Sequence, residues 1–302
     1  MLLLAVQGNE DQWDSATIIG LFCGSGVTFL LWVAWSLRKG DKALIPLAWL
    51  KQRVMWNSCI TFGLTMGSLL TTSYFLPVYF QGVLGTTPLL SGVQALPNII
   101  PQLLMGMLGG GLVSKIGYYI PSSLLGAALF SIGAGLISTY SPTTPLARRI
   151  GFQVILGSGY GFALEMPILA VQNSIQLHQL PVAMGILMFC SQLSGSLLVS
   201  FRNTIFYNSF RTLLPKYAPS VDPAIVVAAG ATQFRDTVPP SALHNVLIAY
   251  AKSVDRVYYL GVGCGVATFV SAWGMGWKDV RKTKKPEAPK AEISQMQESQ
   301  SS

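Results

Sequence analysis

Residues 54–114 read VMWNSCITFGLTMGSLLTTSYFLPVYFQGVLGTTPLLSGVQALPNIIPQLLMGMLGGGLVS and contain no charged side chain. A helix needs about 20 apolar residues to cross the hydrocarbon core of a membrane, so this stretch is too long for one crossing and long enough for two. The turn-rich segment Gly82-Val-Leu-Gly-Thr-Thr-Pro88 lies near its middle and separates the two crossings. The stretch therefore predicts two transmembrane helices, at about 55–80 and 92–114.

Long charge-free runs continue on both sides of this stretch. Only 11% of the residues are charged, 51% are hydrophobic, and the mean hydropathy is +0.49, whereas soluble domains have about 25% charged residues. This composition excludes a water-soluble globule, a disordered chain and a disulfide-stapled secreted module. The predicted fold is an all-α polytopic bundle of about seven spans, the other five lying at 15–37, 116–147, 150–173, 179–201 and 257–277.

The distribution of basic residues predicts the orientation of these helices. The formal net charge is +8; five of the 20 basic residues lie in segment 38–53, and six follow Trp277. Short loops rich in Lys and Arg face the cytoplasm, so both segments are predicted to be cytoplasmic and the N-terminus external. Arg148 and Arg149 fall on the external side and oppose this rule. No basic stripe alternates with aromatic residues, so the charge indicates membrane topology and no nucleic-acid partner.

Three segments are predicted not to cross the membrane. Residues 202–256 form a long external loop that includes an amphipathic helix on the membrane surface, with apolar positions at Leu243, Val246, Leu247, Tyr250 and Val254. Residues 279–302 are rich in Lys, Pro, Ser and Gln and are predicted to be a disordered tail. Residues 1–6 are interpreted as the end of a helix whose beginning is missing. The chain then divides into 1–53, the bundle 54–278 and the tail 279–302.

Glu165 is the only acidic residue within a predicted span. A buried carboxylate costs several kcal/mol in lipid unless it is paired, protonated or in contact with water, so an intramembrane acid indicates a substrate or proton path. Pro167 follows closely and is expected to kink the helix. The alternative is structural: Glu165 lies near the cytoplasmic end of its span, where it can reach the interface or cap a neighbouring helix. Both interpretations stay open on the sequence alone.

Polar and aromatic side chains within the spans form a second candidate set. Two of the helices that contain them are interrupted by Pro77, Pro97 and Pro101, and broken helices with polar side chains at depth are typical of a cavity for amphipathic small molecules. Interhelical hydrogen bonds are the alternative role for each residue. The set comprises Tyr74, Phe80, Gln81, Asn98, Gln102, Gln153, Tyr160, Gln172 and Gln192.

Neither an enzyme nor a cofactor is expected. The sequence contains no Ser/His/Asp constellation, no paired carboxylates and no metal-ligand spacing, and its four cysteines all lie within apolar runs. Many glycines within the spans are four residues apart, including Gly157 and Gly161. Small residues at this spacing allow helix backbones to approach closely, so these glycines are interpreted as packing positions.

The turn at Gly110-Gly-Leu-Val-Ser-Lys-Ile-Gly-Tyr-Tyr119 resembles the signature loop of the major facilitator superfamily, with Gly111, Lys115 and Gly117 as its glycines and basic residue. Tyr74-Phe-Leu-Pro-Val-Tyr-Phe-Gln81, Pro88-Leu-Leu-Ser-Gly-Val93 and Gly151-Phe-Gln-Val-Ile-Leu-Gly-Ser-Gly-Tyr-Gly161 are similar to segments of the fungal fourteen-span drug:proton antiporters. The resemblance extends from about Trp13 to Trp277. It implies the six-helix C-terminal half of such a transporter, preceded by one linker helix.

The resemblance also implies a function and partners. It implies proton-coupled efflux of hydrophobic or amphipathic small molecules, across the plasma membrane or alternatively the vacuolar membrane. The substrate-binding or coupling residues would then be drawn from Glu165 and the polar set. The family's N-terminal half, which contains acidic residues linked to proton coupling, has no counterpart in this sequence, so the chain is expected to be inactive alone. A seven-helix receptor, and a half-transporter acting as a homodimer or a regulator, are the alternatives.

Overall fold

The computed structural model describes residues 16–39, 52–223, 226, 234–235 and 238–283. These residues form α-helices and one short 3₁₀ turn at Leu177–Gln179, with no strand among them. The all-α prediction is therefore confirmed. The helices are α1 Ala16–Lys39, α2 Arg53–Gly82, α3 Pro88–Ile116, α4 Ile120–Ile137, α5 Leu146–Leu164, α6 Met166–Gln172, α7 Leu180–Tyr217, α8 Pro240–Trp273 and α9 Val280–Thr283.

Five helical segments in the described ranges are long and apolar enough to cross a membrane. They are α2, α3, α4, the α5–α6 pair at Leu146–Gln172, and α7 with its preceding turn at Leu177–Tyr217. These segments coincide with the second to sixth predicted spans. α1 and the second half of α8 occupy the first and seventh predicted spans as helices, although neither is among the five. The chain is thus an integral membrane helical bundle.

The predicted loop 202–256 is wrong in its extent. α7 continues to Tyr217 and α8 begins at Pro240, so most of that segment is helical. The predicted surface helix is also wrong, because Val246, Tyr250 and Val254 are buried in the main core. The ring of Tyr250 packs against Phe206 of α7 with 5.0 Å between the ring centroids. Both helices therefore extend beyond the predicted spans because their aromatic side chains pack together there.

The predicted disordered tail is corrected at its first residues. Val280–Thr283 form α9, and the backbone N–H of Val280 donates to the carbonyl of Gly117 at 2.9 Å. Residues 1–15, 40–51 and 284–302 lie outside the described ranges. The predictions for the helix remnant 1–6, most of the basic loop 38–53 and the rest of the tail therefore stay predictions.

The helices run alternately up and down, so the bundle has two ends. The Ser141 end contains the turn 138–145, the C-terminal ends of α2 and α7, and the start of α8. The Gly117 end contains the turn between α3 and α4, the start of α2 and the end of α8. Trp56, Trp273 and Trp277 all belong to the Gly117 end, whereas the Ser141 end is rich in tyrosine, as the 5.4 Å ring contact of Tyr79 with Tyr140 shows.

Close helix packing depends on glycine at the interface of α3 with α5. A Cβ atom added at Gly157 would overlap the backbone carbonyl of Asn98, and one added at Gly161 would overlap that of Gln102. Only a residue without a side chain permits this approach of two backbones. The predicted packing role of these two glycines is therefore confirmed.

Candidate functional site

Glu165 lies at a break in the helix that contains it. α5 ends at Leu164, α6 begins at Met166, and Pro167 occupies the first turn of α6. The predicted interruption near Pro167 is confirmed, because proline cannot donate the hydrogen bond that would continue the helix. The side chain of Glu165 is exposed and forms no ion pair with a described residue. The break thus presents a carboxylate on the outer surface of the bundle formed by α2–α8.

Three further residues of the predicted set are exposed. Tyr74 on α2 is 52% exposed, and Gln172 at the end of α6 and Gln192 on α7 are also exposed. Like Glu165, they lie on surfaces that the other described helices leave uncovered. These four side chains are therefore the members of the set that a ligand, lipid or further protein segment can reach.

Four other members of the set are buried between helices. Phe80 is 0% exposed, Asn98 is 3% exposed, and Gln153 and Tyr160 are each 1% exposed. The hydroxyl of Tyr160 shares a 2.9 Å hydrogen bond with Thr72 of α2, and Nε2 of Gln153 donates to the carbonyl of Arg149 at 3.1 Å. In this conformation none of these side chains is accessible to a ligand. The hydrogen bond of Tyr160 connects α5 with α2 and that of Gln153 lies within α5, while Oδ1 of Asn98 is buried without a hydrogen-bond partner among the described residues.

The remaining amides lie at intermediate depth. Nε2 of Gln81 donates to Oγ of Ser91 at 3.0 Å, and that hydroxyl donates to the carbonyl of Pro88 at 2.8 Å. Gln81 therefore connects the end of α2 with the first turn of α3. Gln102 is half-buried on α3, where its backbone carbonyl contacts Gly161.

The predicted signature loop forms the Gly117 end of α3. Gly117 has φ +85°, the left-handed conformation that ends a helix, and its N–H donates to the carbonyl of Val113 at 2.8 Å. The carbonyl of Lys115 accepts a 3.1 Å hydrogen bond from Nη1 of Arg281, which also forms an ion pair with Asp279 at 3.1 Å. Gly111 faces open space. The loop therefore serves as a docking point for the chain that follows α8.

Arg202 is a buried cation that the sequence reasoning missed. It lies within α7, is 1% exposed, and donates from Nη2 to Oγ of Ser68 at 3.2 Å. No ion pair joins it to a carboxylate in the described ranges. The sixth span was predicted to end before Arg202, because this residue ends a charge-free run, but the helix continues past it.

A cavity at the Ser141 end was also missed. It has a volume of about 400 Å³ and lies between the turn 138–145 and the first half of α8. His244, Lys252 and Asp255 are its charged or titratable residues from α8, and Tyr140 is its tyrosine from the turn. The prediction placed the segment 240–256 in a surface loop, so it gave no reason to expect a lined cavity there.

The outer surface of α3 is apolar along nearly the whole helix. Of its 29 residues only Ser91, Asn98, Gly109 and Val113 are buried. Such a surface requires either lipid or another protein segment to cover it. Its large exposed side chains are Leu89, Leu90, Val93, Leu96, Ile99, Ile100, Leu103, Leu104, Met107, Leu108, Leu112 and Ile116.

Metal chemistry finds no support in the described residues. Among them, no three His, Cys, Asp or Glu side chains are grouped in a way that would hold a metal ion. Cys23, Cys59, Cys190 and Cys264 are all free thiols.

Comparison with known proteins shows what the chain resembles. No family model matches it. It is 47% identical over 287 residues to the MFS-type transporter pigP of Monascus ruber, and 42% identical over 293 residues to the MFS-type transporter calB of Penicillium decumbens. It is 43% identical over 283 residues to the efflux pump mlcE of Penicillium citrinum.

These matches cover 94%, 95% and 93% of this chain but only 50%, 52% and 51% of the respective relatives. The chain therefore spans about half the length of the curated relatives that it matches. Their names describe transporters and efflux pumps of the major facilitator superfamily (MFS), the family that the signature loop resembles. Over nearly its whole length, the chain is a homologue of about half of a fungal MFS-type transporter.

Proposed function

We propose that the chain is the C-terminal half of a proton-coupled efflux transporter for hydrophobic or amphipathic small molecules. The support comes from relatives named as MFS-type transporters and efflux pumps, and from their twofold greater length. It also comes from the bundle α2–α8, which has six spans because α5 and α6 together form one. The plasma membrane is the proposed location. The proposed orientation places the Ser141 end outside and the Gly117 end in the cytoplasm, as the basic residues at 38–53 and after Trp277 predict.

The observation that supports this function best is the exposed carboxylate of Glu165 in an otherwise apolar segment. Hydrocarbon alone does not accommodate an ionised carboxylate, because its burial without a partner costs several kcal/mol. Lipid would readily cover the apolar side chains of α3, but it would leave Glu165 without a partner. A second protein half, or a water-filled cavity between two halves, satisfies the carboxylate.

Alternating access explains why two halves are needed. Transporters of this kind bind their substrate near the membrane midplane between two bundles, which then rock against each other. This chain supplies one bundle, with the accessible polar side chains Tyr74, Glu165 and Gln192 as the proposed contacts with substrate or protons. Asn98, Gln153 and Tyr160 are proposed to hold the helices in place behind them.

A chimeric transporter tests the proposal. The aligned half of the M. ruber MFS-type transporter is replaced by this chain, and the chimera is expressed in pump-deficient yeast loaded with a lipophilic dye. The expected result is faster dye export than in cells that express this chain alone or the other half alone. An inactive chimera that reaches the membrane in a folded form would contradict the proposal.

The same experiment separates the alternatives for the partner. If this chain alone exports dye at the rate of the chimera, the partner would be a second copy of this chain and not a different N-terminal half. Export that does not respond to a collapsed proton gradient would retain the efflux function and remove proton coupling from it.

A further inference from the structure

A column of buried polar groups leads from the cavity at the Ser141 end into the bundle. It begins at Asp255, which lines the cavity and lies two residues before the predicted span 257–277. One carboxylate oxygen of Asp255, Oδ1, is buried and has no hydrogen-bond partner among the described residues. The carboxyl group therefore stands between the water-accessible cavity and the interior.

Tyr258 is the next group of the column. It lies three residues after Asp255 on α8, about 4.5 Å further along the helix axis and on the same face. The side chain is 2% exposed, and its hydroxyl is also buried without a hydrogen-bond partner in the described ranges. This hydroxyl interacts electrostatically with both Asp255 and Arg202.

Arg202 ends the column. A Cβ atom added at Gly261, three residues after Tyr258, would lie 3.2 Å from Nη2 of Arg202, so the guanidinium packs against the same face of α8. Its Nη2 bonds to Ser68 of α2, but its Nε is buried without a partner. Three successive groups thus each contain an unpaired buried polar atom. Such atoms in proteins are normally satisfied by ordered water.

The surroundings of Asp255 favour its neutral form. Burial raises the pKa of Asp255 to about 8, although the nearby Lys252 opposes this change. Arg202, at the end of the column, has no ion pair with a carboxylate among the described residues. A change in the charge of Asp255 therefore changes the electrostatic energy of the buried guanidinium. The titratable and charged groups facing Asp255 are His244, Lys252 and Tyr258 of α8, Tyr79 of α2, Tyr140 of the turn and, through these tyrosines, Arg149 of α5.

We propose that Asp255 takes up a proton from the compartment at the Ser141 end, and that the column Asp255–Tyr258–Arg202 couples this proton to the buried charge of the bundle. The inference rests on the proposed proton-coupled function and adds a proton site to it in the C-terminal half. No covalent step is involved. The proton moves from water in the cavity to the carboxylate oxygen, and Arg202 stays protonated throughout.

Infrared difference spectroscopy on the purified chain in lipid tests the proton site directly. The C=O band of protonated carboxyl groups is followed from about pH 5 to about pH 10. In the unaltered chain we expect a component that titrates near pH 8. Asp255→Asn is expected to remove it, whereas the control Asp222→Asn, at an exposed residue of the same end, is expected to retain it. Loss of the component in the control, or its persistence in Asp255→Asn, would overturn the assignment.

Variants of Arg202 test the column. Gly261 lies six residues, or about 9 Å, beyond Asp255 along α8, so removing the guanidinium charge with Arg202→Gln is expected to raise the titration midpoint by about one pH unit. Arg202→Lys keeps the charge and is expected to keep the midpoint. Tyr258→Phe removes only the hydroxyl, which within the proposed column donates through ordered water to the ionised carboxylate; its loss is therefore expected to raise the midpoint too. This variant decides the question if Arg202→Gln does not fold. An unchanged midpoint in the folded variants would overturn the column.

The coupling to transport is measured separately in the chimera. Asp255→Asn is expected to make dye export insensitive to the pH on the Ser141 side, and an unchanged pH response would overturn the coupling. If the unaltered chimera exports no dye, the proposed function fails, but the infrared titration still decides on the proton site because it requires no transport.

Discussion

α3 and α8 differ in how apolar and how buried they are: the more apolar helix, α3, is the less buried of the two. α3 is apolar enough to be recognised as a membrane span, yet only four of its residues are buried. α8 is not among the recognised spans, yet its face with Tyr250, Val254, Tyr258 and Cys264 is buried in the bundle. In a membrane helical bundle the apolar surface faces outward, because lipid or a partner covers it, while polar groups pair inside. An apolar exposed face therefore indicates contact with lipid or a partner, whereas buried polar side chains indicate the interior of the bundle.

The largest effect is expected from a variant that disrupts the packing of α3 against α5. Gly157→Leu places a side chain where the carbonyl of Asn98 lies, so we expect a loss of about 3 kcal/mol or more in the free energy of unfolding. Gly111→Leu on the open side of α3 is the control and is expected to change stability little. Thermal unfolding of the purified chain, followed by size-exclusion chromatography, measures both. Equal stability of the two variants would contradict the proposed difference between the two faces of α3.

Glu165→Gln in the chimera examines the exposed break that follows α5, the helix that supports α3. We expect export to fall by about 5- to 150-fold, the range that corresponds to a coupling free energy of about 1–3 kcal/mol. Because Glu165 is exposed, the unfolding temperature should stay the same. Glu165→Asp, which keeps the charge, is expected to retain more activity. Unaltered export and pH dependence in Glu165→Gln would return this residue to a structural role.

The pH dependence of stability examines the interior face of α8. The pKa of Asp255 is about 8 in the folded chain, above its ordinary value, so the folded state holds this proton at a pH where the unfolded state has lost it. The resulting stability is complete below about pH 4 and is lost as the pH rises towards 8. Unfolding temperatures at about pH 6 and about pH 9 should therefore differ less in Asp255→Asn than in the unaltered chain. A difference of the same size in both would contradict the raised pKa.

The smallest expected effect concerns the contact between the end of α3 and the chain after α8. Arg281→Ala removes the ion pair with Asp279 and the hydrogen bond to the carbonyl of Lys115. The Arg281 side chain is about half exposed, so we expect only a small decrease in the unfolding temperature, and a still smaller one in high salt. Lys278→Ala, at a neighbouring exposed residue, is the control. A larger effect of the control variant would contradict a specific docking of this segment.

Helix positions were predictable from the sequence where they depend on the membrane itself. Charge-free runs of the required length predicted α2 to α7, since the hydrocarbon core excludes charges over a fixed thickness. The continuation of α7 past Arg202 was not predictable in this way, because packing between Phe206, Phe210 and Tyr250 keeps the chain helical outside that thickness. Charge ends a membrane span, but it does not end a helix.

The candidate site was predictable only in part. Glu165 was recognised because a carboxylate is rare in an apolar run, and the helix break beside it followed from Pro167. The burial of Asn98, Gln153 and Tyr160 did not follow, since a helix that is apolar on all sides gives no periodic signal for its inner face. The cavity beside Asp255 required residues from α8 and from the turn 138–145 to meet, a contact between segments that are far apart in the sequence.

The separation of aromatic residues between the two ends makes the chain spectroscopically asymmetric. Of the seven tryptophans, Trp56, Trp273 and Trp277 belong to the Gly117 end. In a variant whose other four, Trp13, Trp32, Trp35 and Trp49, are replaced by phenylalanine, indole emission excited at the red edge reports on that end alone. The phenol rings around the cavity at the other end, including Tyr79 and Tyr140, absorb separately in the ultraviolet. A proton arriving at Asp255 should first perturb the tyrosine difference spectrum. A change in tryptophan emission at the same pH would then record transmission of the signal across the membrane, with no attached dye.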